Sequence, residues 1–129
     1  MRRPIALLLL ALLSTGCGAP APDDAAPSLT ERGTFRVEIT HDDGDFRRGV
    51  NSFHVRAWDA SSGASAVLAE VVAAMPSHDH ERAVATVTAE GERFAVDDLR
   101  LTMPGRWQIN LRVAQGARSD VALVSVFIP

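Results

Sequence analysis

A short stretch of the chain, residues 75–80, reads MPSHDH and carries residue types that bind a soft metal ion. Met75 offers a thioether, while His78 and His80 offer two imidazoles that point the same way if the segment is extended. Met103, in a second Met-Pro pair, is a further thioether. Mixed imidazole and thioether ligands favour copper, and the thioether selects Cu(I). The stretch therefore predicts a copper site formed by Met75, His78, His80 and Met103.

The same residues also have a purely structural interpretation. Met75 ends an apolar run that begins at Val67, and it lies on the more apolar side of that run, so it can fill space at the edge of a core. Met103 likewise continues the parity of the apolar residues before it. Pro76 cannot donate a backbone hydrogen bond to a neighbouring strand, which predicts that the strand ends there and that 77–80 form an exposed loop. Two histidines in such a loop need no ligand.

The elements that must position these residues are strands, because apolar residues recur with a period of two. Apolar and polar residues alternate in 35–40, 52–57 and 107–113, as in strands with one buried face. The runs 67–75 and 121–128 are apolar on both parities, which predicts strands covered on both sides. About seven short strands predict an all-β fold, a single Ig-like antiparallel β-sandwich. Turn-like segments separate the runs at 41–45, 59–64, 76–81, 89–92, 103–105 and 114–119.

The N-terminus has the layout of an export signal. Arg2 and Arg3 precede an apolar run at 5–13, which is too short to span a bilayer as a helix and is followed by small residues and Cys17. The sequence LSTGC at 13–17 resembles a bacterial lipobox, in which the cysteine becomes the lipidated first residue of the mature chain. An ordinary signal peptide that leaves Cys17 as a free thiol is the alternative.

These features divide the chain into three parts. We predict a lipoprotein signal peptide at 1–16, the lipidated cysteine and a flexible linker at 17–32, and a folded domain at 33–129. The lipid would hold the domain on the periplasmic side of the inner or the outer membrane. Cys17 is the only cysteine, so no disulfide can form within the chain and the domain depends on its core for stability.

Composition and motifs exclude several functional classes. All 13 basic residues are arginines, they are scattered, and the formal net charge is -3, so the chain lacks the basic surface that a nucleic acid requires. The sequence contains no nucleophile elbow, HExxH motif or glycine-rich phosphate loop. We therefore predict a binding or assembly module rather than an enzyme.

Three segments in a fixed order resemble a known family. GVNSFHVRAWD at 49–59 is followed by the apolar run that ends in MPSHDH, and then by GERFAVDDLRLTMPGRWQINLRV at 91–113. One strand is thus followed by Met-Pro and a nearby histidine, and another opens with Met-Pro-Gly-x-Trp. This arrangement, from Gly49 to Val113, resembles the YtkA-like and FixH-like family of small exported or membrane-anchored β-sandwich domains.

The resemblance implies a function as well as a fold. In the family the first motif is commonly Met-Pro-x-Met-x-His or Met-Pro-x-His-x-His, and His78 and His80 follow the second version. FixH-like members are associated with assembly of copper-containing respiratory oxidases. The resemblance therefore implies copper binding, or delivery of copper to a copper-containing membrane protein or an oxidase assembly factor. The alternative is a protein-interaction module of the cell envelope in which the histidines are incidental.

Cys17 is the residue on which membrane attachment depends if the lipobox assignment is correct. Cys17→Ser removes the thiol that accepts the lipid, so we expect the protein to move to the soluble fraction or to accumulate unprocessed. Cell fractionation and immunoblotting measure both outcomes. A Cys17→Ser chain that is processed normally and stays in the membrane contradicts the assignment.

Overall fold

The computed structural model describes residues 27–129, which form strands and turns. None of these residues belongs to a helix long and apolar enough to cross a membrane. The predicted signal peptide and Cys17 lie outside the described residues. Nine strands form within 27–129: β1 (Ser28–Leu29), β2 (Phe35–His41), β3 (Gly49–Asp59), β4 (Val67–Met75), β5 (His78–Val84), β6 (Thr86–Glu90), β7 (Arg93–Leu101), β8 (Gly105–Gln115) and β9 (Arg118–Ile128).

The nine strands form two sheets, and the predicted all-β sandwich is confirmed. The five-stranded sheet has the order β1-β2-β3-β7-β6, and the four-stranded sheet has the order β5-β4-β8-β9. All neighbouring strands are antiparallel. Apolar side chains from both sheets fill the space between them and form one core.

The prediction of about seven strands is wrong, in part because the chain between 78 and 90 forms two strands. β5 ends at Val84 in the four-stranded sheet, and β6 begins at Thr86 in the five-stranded sheet. The chain crosses between the sheets at Ala85, whose backbone N–H donates to the carbonyl of Val71. Such a crossing leaves the period of the apolar residues unchanged, so the sequence pattern does not reveal it.

The packed domain also begins before Gly33, the predicted boundary between linker and domain. β1 precedes that residue and pairs with the first half of β2. Thr30 is buried, and its hydroxyl accepts a hydrogen bond from the backbone N–H of Phe35. The composition of 18–31 does not predict this structure, because backbone pairing and a hydrogen-bonded threonine require no run of apolar residues.

The predicted alternation of β8 is confirmed. One face of the strand is buried between the sheets, while the opposite face is half-buried or exposed and includes Arg112. β8 pairs with β4 on one side and, along its whole length, with β9 on the other. The buried face therefore forms one side of the core and consists of Trp107, Ile109, Leu111 and Val113.

The prediction that 67–75 and 121–128 are covered on both sides holds only for residues 71–73 and fails for β9. In β4, a register shift after Leu68 reverses the parity, so Leu68 is buried while its two neighbours are exposed. In β9, Leu123 and Phe127 lie on the outer face and are exposed. β9 is an edge strand on an uncovered sheet face, and such a strand buries only one side.

A buried carboxylate, Asp120, ties the segment before β2 to the edge of the other sheet. It accepts hydrogen bonds from the backbone N–H groups of Arg32, Thr34 and Val121. Burial raises the pKa of the Asp120 carboxyl, but a hydrogen bond from Thr30 and the three backbone bonds outweigh burial and hold the pKa below its ordinary value. The folded structure therefore favours the charged form of Asp120.

Asp59 makes a second connection of this kind at the end of β3. Its carboxylate accepts hydrogen bonds from the backbone N–H groups of Ser61 and Ser62 and pairs with Arg118, the first residue of β9. The bond from Ser62, then that from Arg118, holds the pKa of Asp59 below its ordinary value. Arg118 also lies over the ring of Phe35, 5.5 Å from its centroid, and so links the two sheets.

Leu111 lies on the buried face of β8, so its truncation leaves a cavity in the core. We expect Leu111→Ala to lower the free energy of unfolding by about 2–5 kcal/mol. Arg112→Ala is the matched control, because Arg112 is the next residue, is exposed, and forms an ion pair with Glu70 that is worth only about 0–1 kcal/mol. Denaturant unfolding measures both changes. Equal losses at the two positions would contradict the assignment of the inner and outer faces.

Asp120 makes stability depend on pH. A carboxyl whose pKa is lower in the folded than in the unfolded chain adds stability above its unfolded pKa, and this contribution disappears as acid protonates the folded carboxyl. We expect Asp120→Asn to be less stable than the parent at neutral pH, and the difference to shrink progressively below about pH 4.

Denaturant unfolding of the Asp120→Asn chain and the parent, repeated across the acid range, measures this difference. Asp43→Asn is the control, because Asp43 is an exposed residue of the β2–β3 loop, and the stability of the Asp43→Asn chain should stay close to that of the parent. A difference between Asp120→Asn and the parent that stays constant into strong acid would show that the charge of Asp120 does not matter.

Candidate functional site

The MPSHDH stretch forms a tight β-hairpin between β4 and β5. Met75 is the last residue of β4, His78 is the first residue of β5, and the two are paired across the strands. Pro76 and Ser77 alone make the turn, which suits a proline whose φ is already fixed. The predicted exposure is confirmed for residues 77–79, but the predicted loop over 77–80 is wrong, because two residues suffice to reverse the chain and the polar residues that follow form an edge strand.

The pairing of this hairpin is interrupted directly after its tip. Met75 is paired with His78, but the preceding residue of β4, Ala74, is paired with Arg82. Residues 79–81 thus form a bulge that has no partner on β4. His80 lies within this bulge, and its side chain is outside the part of the structure that is described.

Met75 packs into the edge of the core. Its side chain is 4% exposed, and its methyl group Cε contacts Gly105 at the start of β8. A Cβ atom at position 105 would lie 2.8 Å from that methyl group, and Gly105 has a φ of +129°, so both space and backbone conformation require glycine there. Met75 thus has the space-filling role that the structural interpretation predicts.

Met103 belongs to the turn that precedes β8. Its side chain is half-buried against the core, and its backbone carbonyl accepts a 3.0 Å hydrogen bond from the indole N–H of Trp107. Trp107 is itself buried, so the position of this turn is set by the core. Because Met75 contacts Gly105, the turn at 103–105 and the tip of the β4–β5 hairpin lie at the same end of the sandwich. The structure thereby brings together the two Met-Pro motifs.

His78 is the accessible imidazole of this end of the sandwich. The residue is exposed, and its Nδ1 lies 2.9 Å from the hydroxyl oxygen of Ser77. Among the described residues, Nε2 has no hydrogen-bond partner. A group of three or more His, Cys, Asp or Glu side chains that could hold a metal ion is not found within 27–129. Among the described side chains, the donors at this end are one exposed imidazole and two thioethers of different burial.

His54 forms a cluster that the sequence does not predict. It follows the polar parity of β3, which indicates a simple surface residue, yet its side chain is only 17% exposed. Nδ1 lies 2.9 Å from a carboxylate oxygen of Asp42, and Nε2 lies 3.3 Å from one of Glu90. The contact at Nδ1 is close but lacks the alignment of a hydrogen bond. The three residues are far apart in sequence, so no local signal could have found this cluster.

Comparison with known proteins leaves the family open. No protein-family model, curated protein or solved structure gives a significant match to this chain. The resemblance to YtkA-like and FixH-like domains therefore stays a prediction made from the motifs themselves, as do the functions that it implies.

Proposed function

We propose that this chain is a lipid-anchored binding module of the cell envelope that binds copper and delivers it to a membrane partner. The observation that carries the proposal is the contact between the methyl group of Met75 and Gly105. This contact places the MPSHDH hairpin beside the Met-Pro-Gly turn, so that imidazole and thioether donors share one end of the sandwich. Such a donor set suits Cu(I) better than a hard or borderline ion.

The donors have different roles in this proposal. His78 is the entry ligand, because it is exposed and because Ser77 engages Nδ1, which leaves Nε2 for the metal. Met103 supplies a thioether from the edge of the core, and His80 supplies a second imidazole. Met75 mainly seats the hairpin on the turn, and it becomes a ligand only if the hairpin moves away from Gly105.

The site suits transfer of copper better than permanent storage. His78 lies on an exposed hairpin at the edge of the four-stranded sheet, where another protein has access to a bound ion. The bulge at 79–81 leaves this part of β5 without pairing to β4, so it can move without breaking the sheet. The family resemblance suggests a copper-containing membrane protein or an oxidase assembly factor as the receiving partner.

The competing proposal is a protein-interaction module of the cell envelope that binds no metal. It is favoured by the burial of Met75, which gives that residue a complete explanation as part of the core. His78 would then be a surface residue of an edge strand. The two proposals differ in one measurable property, the affinity of the hairpin for Cu(I).

Competition with a Cu(I) chelator measures this affinity. The full-length chain should carry Cys17→Ser, because a free thiolate at position 17 would bind Cu(I) itself. We expect this chain to bind one Cu(I) ion, and we expect binding to be lost or greatly weakened when His78→Ala and His80→Ala are combined. Acidification should weaken binding in the same way, since an imidazole must lose its proton to bind a metal.

Three further variants separate ligands from packing residues. Met103→Leu should weaken Cu(I) binding, whereas Met75→Leu keeps the core volume and should change it little. His54→Gln is the matched control, because His54 lies on the other sheet and should leave affinity unchanged. Equal affinity in the parent and the double histidine variant would remove the hairpin from the site. An absence of binding in the parent would leave the interaction module as the explanation.

A further inference from the structure

The outer edge of β9 is long, regular and apolar. β9 is the last strand of the four-stranded sheet, and all eleven of its residues pair with β8 without a shift in register. Residues 121–128 read VALVSVFI and contain no charge. An edge strand of this kind offers unpaired backbone groups to any other strand, and proteins usually protect such edges with charges, bulges or short strands.

Only the first part of this edge is covered by the described residues. The backbone N–H of Glu31 donates to the carbonyl of Val121, and the guanidinium of Arg32 donates to the carbonyl of Ser119. Within 27–129, no other strand pairs with the outer edge of β9, so residues 122–128 are uncovered there.

The other edges of the two sheets have features that hinder pairing with a further strand. β5 has the bulge at 79–81 and several charged residues. β6 has only five residues, mostly exposed, and β1 has only two. Among the described strands, β9 is therefore the exception, and its free segment ends just before Pro129.

The register of the covered part defines which backbone groups face outward. In an antiparallel ladder, alternate residues direct both N–H and C=O to the same side. Val121 directs its carbonyl to Glu31 and is paired with Arg112 of β8. Leu123, Ser125 and Phe127 share the parity of Val121, so their backbone groups point to the free edge. Ser125 is the centre of the uncovered segment 122–128.

We propose that the uncovered edge of β9 pairs with the same edge of a second copy of this chain. Antiparallel pairing about a two-fold axis at Ser125 places Ser125 opposite its counterpart and Leu123 opposite Phe127 of the second copy. Three outward-facing residues in each chain then form three pairs, which contribute about six backbone hydrogen bonds. The two four-stranded sheets become one continuous sheet across the pair of molecules.

This register satisfies the side chains as well as the backbone. Leu123 is 41% exposed and Phe127 is 70% exposed, and both lie on the outer face, so each covers the other across the new pair. On the inner face, Val124 and Val126 are only partly buried and gain cover from the added strand. No charge lies within 121–128, so the strand does not repel its own copy. The edge is thus complementary to itself.

A disulfide between two copies reports this register. Residues opposite each other in a hydrogen-bonded antiparallel pair have Cα atoms about 5.5 Å apart, within the range that a disulfide spans. We expect the full-length chain with Ser125→Cys to form mostly covalent dimer when membranes or extracts are oxidised. The parent chain, treated in the same way, shows how much covalent dimer forms through Cys17 alone. Leu123→Cys is the register control, because two copies of residue 123 lie about 14 Å apart along the strands and should not link.

A charge at the edge should abolish the linkage. Adding Phe127→Lys to the Ser125→Cys chain places a charge against Leu123 of the second copy and should reduce covalent dimer to the level of the parent. Adding Val84→Lys is the matched control, because Val84 is 58% exposed on β5 at the other edge of the same sheet, and dimer should persist. The proposal is overturned if Ser125→Cys does not link, if Leu123→Cys links equally well, or if the two lysine variants behave alike.

Discussion

The buried face of β8, an inner strand of the four-stranded sheet, connects the core of this protein to its candidate site. Trp107 at one end of β8 is buried, and its indole N–H fixes the carbonyl of Met103. Gly105 begins the strand and leaves the space into which the methyl group of Met75 packs. The same strand thus contributes one side of the core, fixes the position of the Met-Pro-Gly turn and provides the contact on which the β4–β5 hairpin packs. Since the chain has one cysteine only, this packing is not reinforced by an intrachain disulfide.

The parts of the fold that were predictable from sequence depend on local alternation with one buried face. β3 and β8 have this pattern, and their buried residues are those that the period of two indicates. The pattern fails where a strand changes register, as after Leu68, or changes sheet, as at Ala85. It also fails for Leu123 and Phe127, because an apolar side chain on an edge strand has the same sequence signal as one covered by another layer.

The candidate site was also only partly predictable from the sequence. The sequence identifies the two Met-Pro motifs by their residue types, but their proximity depends on pairing between strands that are separated along the chain. Met75 and Gly105 meet because β4 and β8 are neighbours in the four-stranded sheet. The His54 cluster could not be predicted at all, since Asp42 follows the end of β2 and Glu90 is the last residue of β6. Pairing between strands that are distant in sequence, rather than composition, determines both the candidate site and the His54 cluster.

The hairpin and the turn form one copper site in this account, and methyl NMR tests that claim most directly. The chain has only three methionines, so labelled methyl groups give few signals and are readily assigned by substitution. Addition of Cu(I) to the full-length chain with Cys17→Ser should shift the Met103 methyl signal and the His78 ring signals together, with saturation at one equivalent. Signals of Met103 and His78 that do not change on addition of Cu(I) would contradict the account.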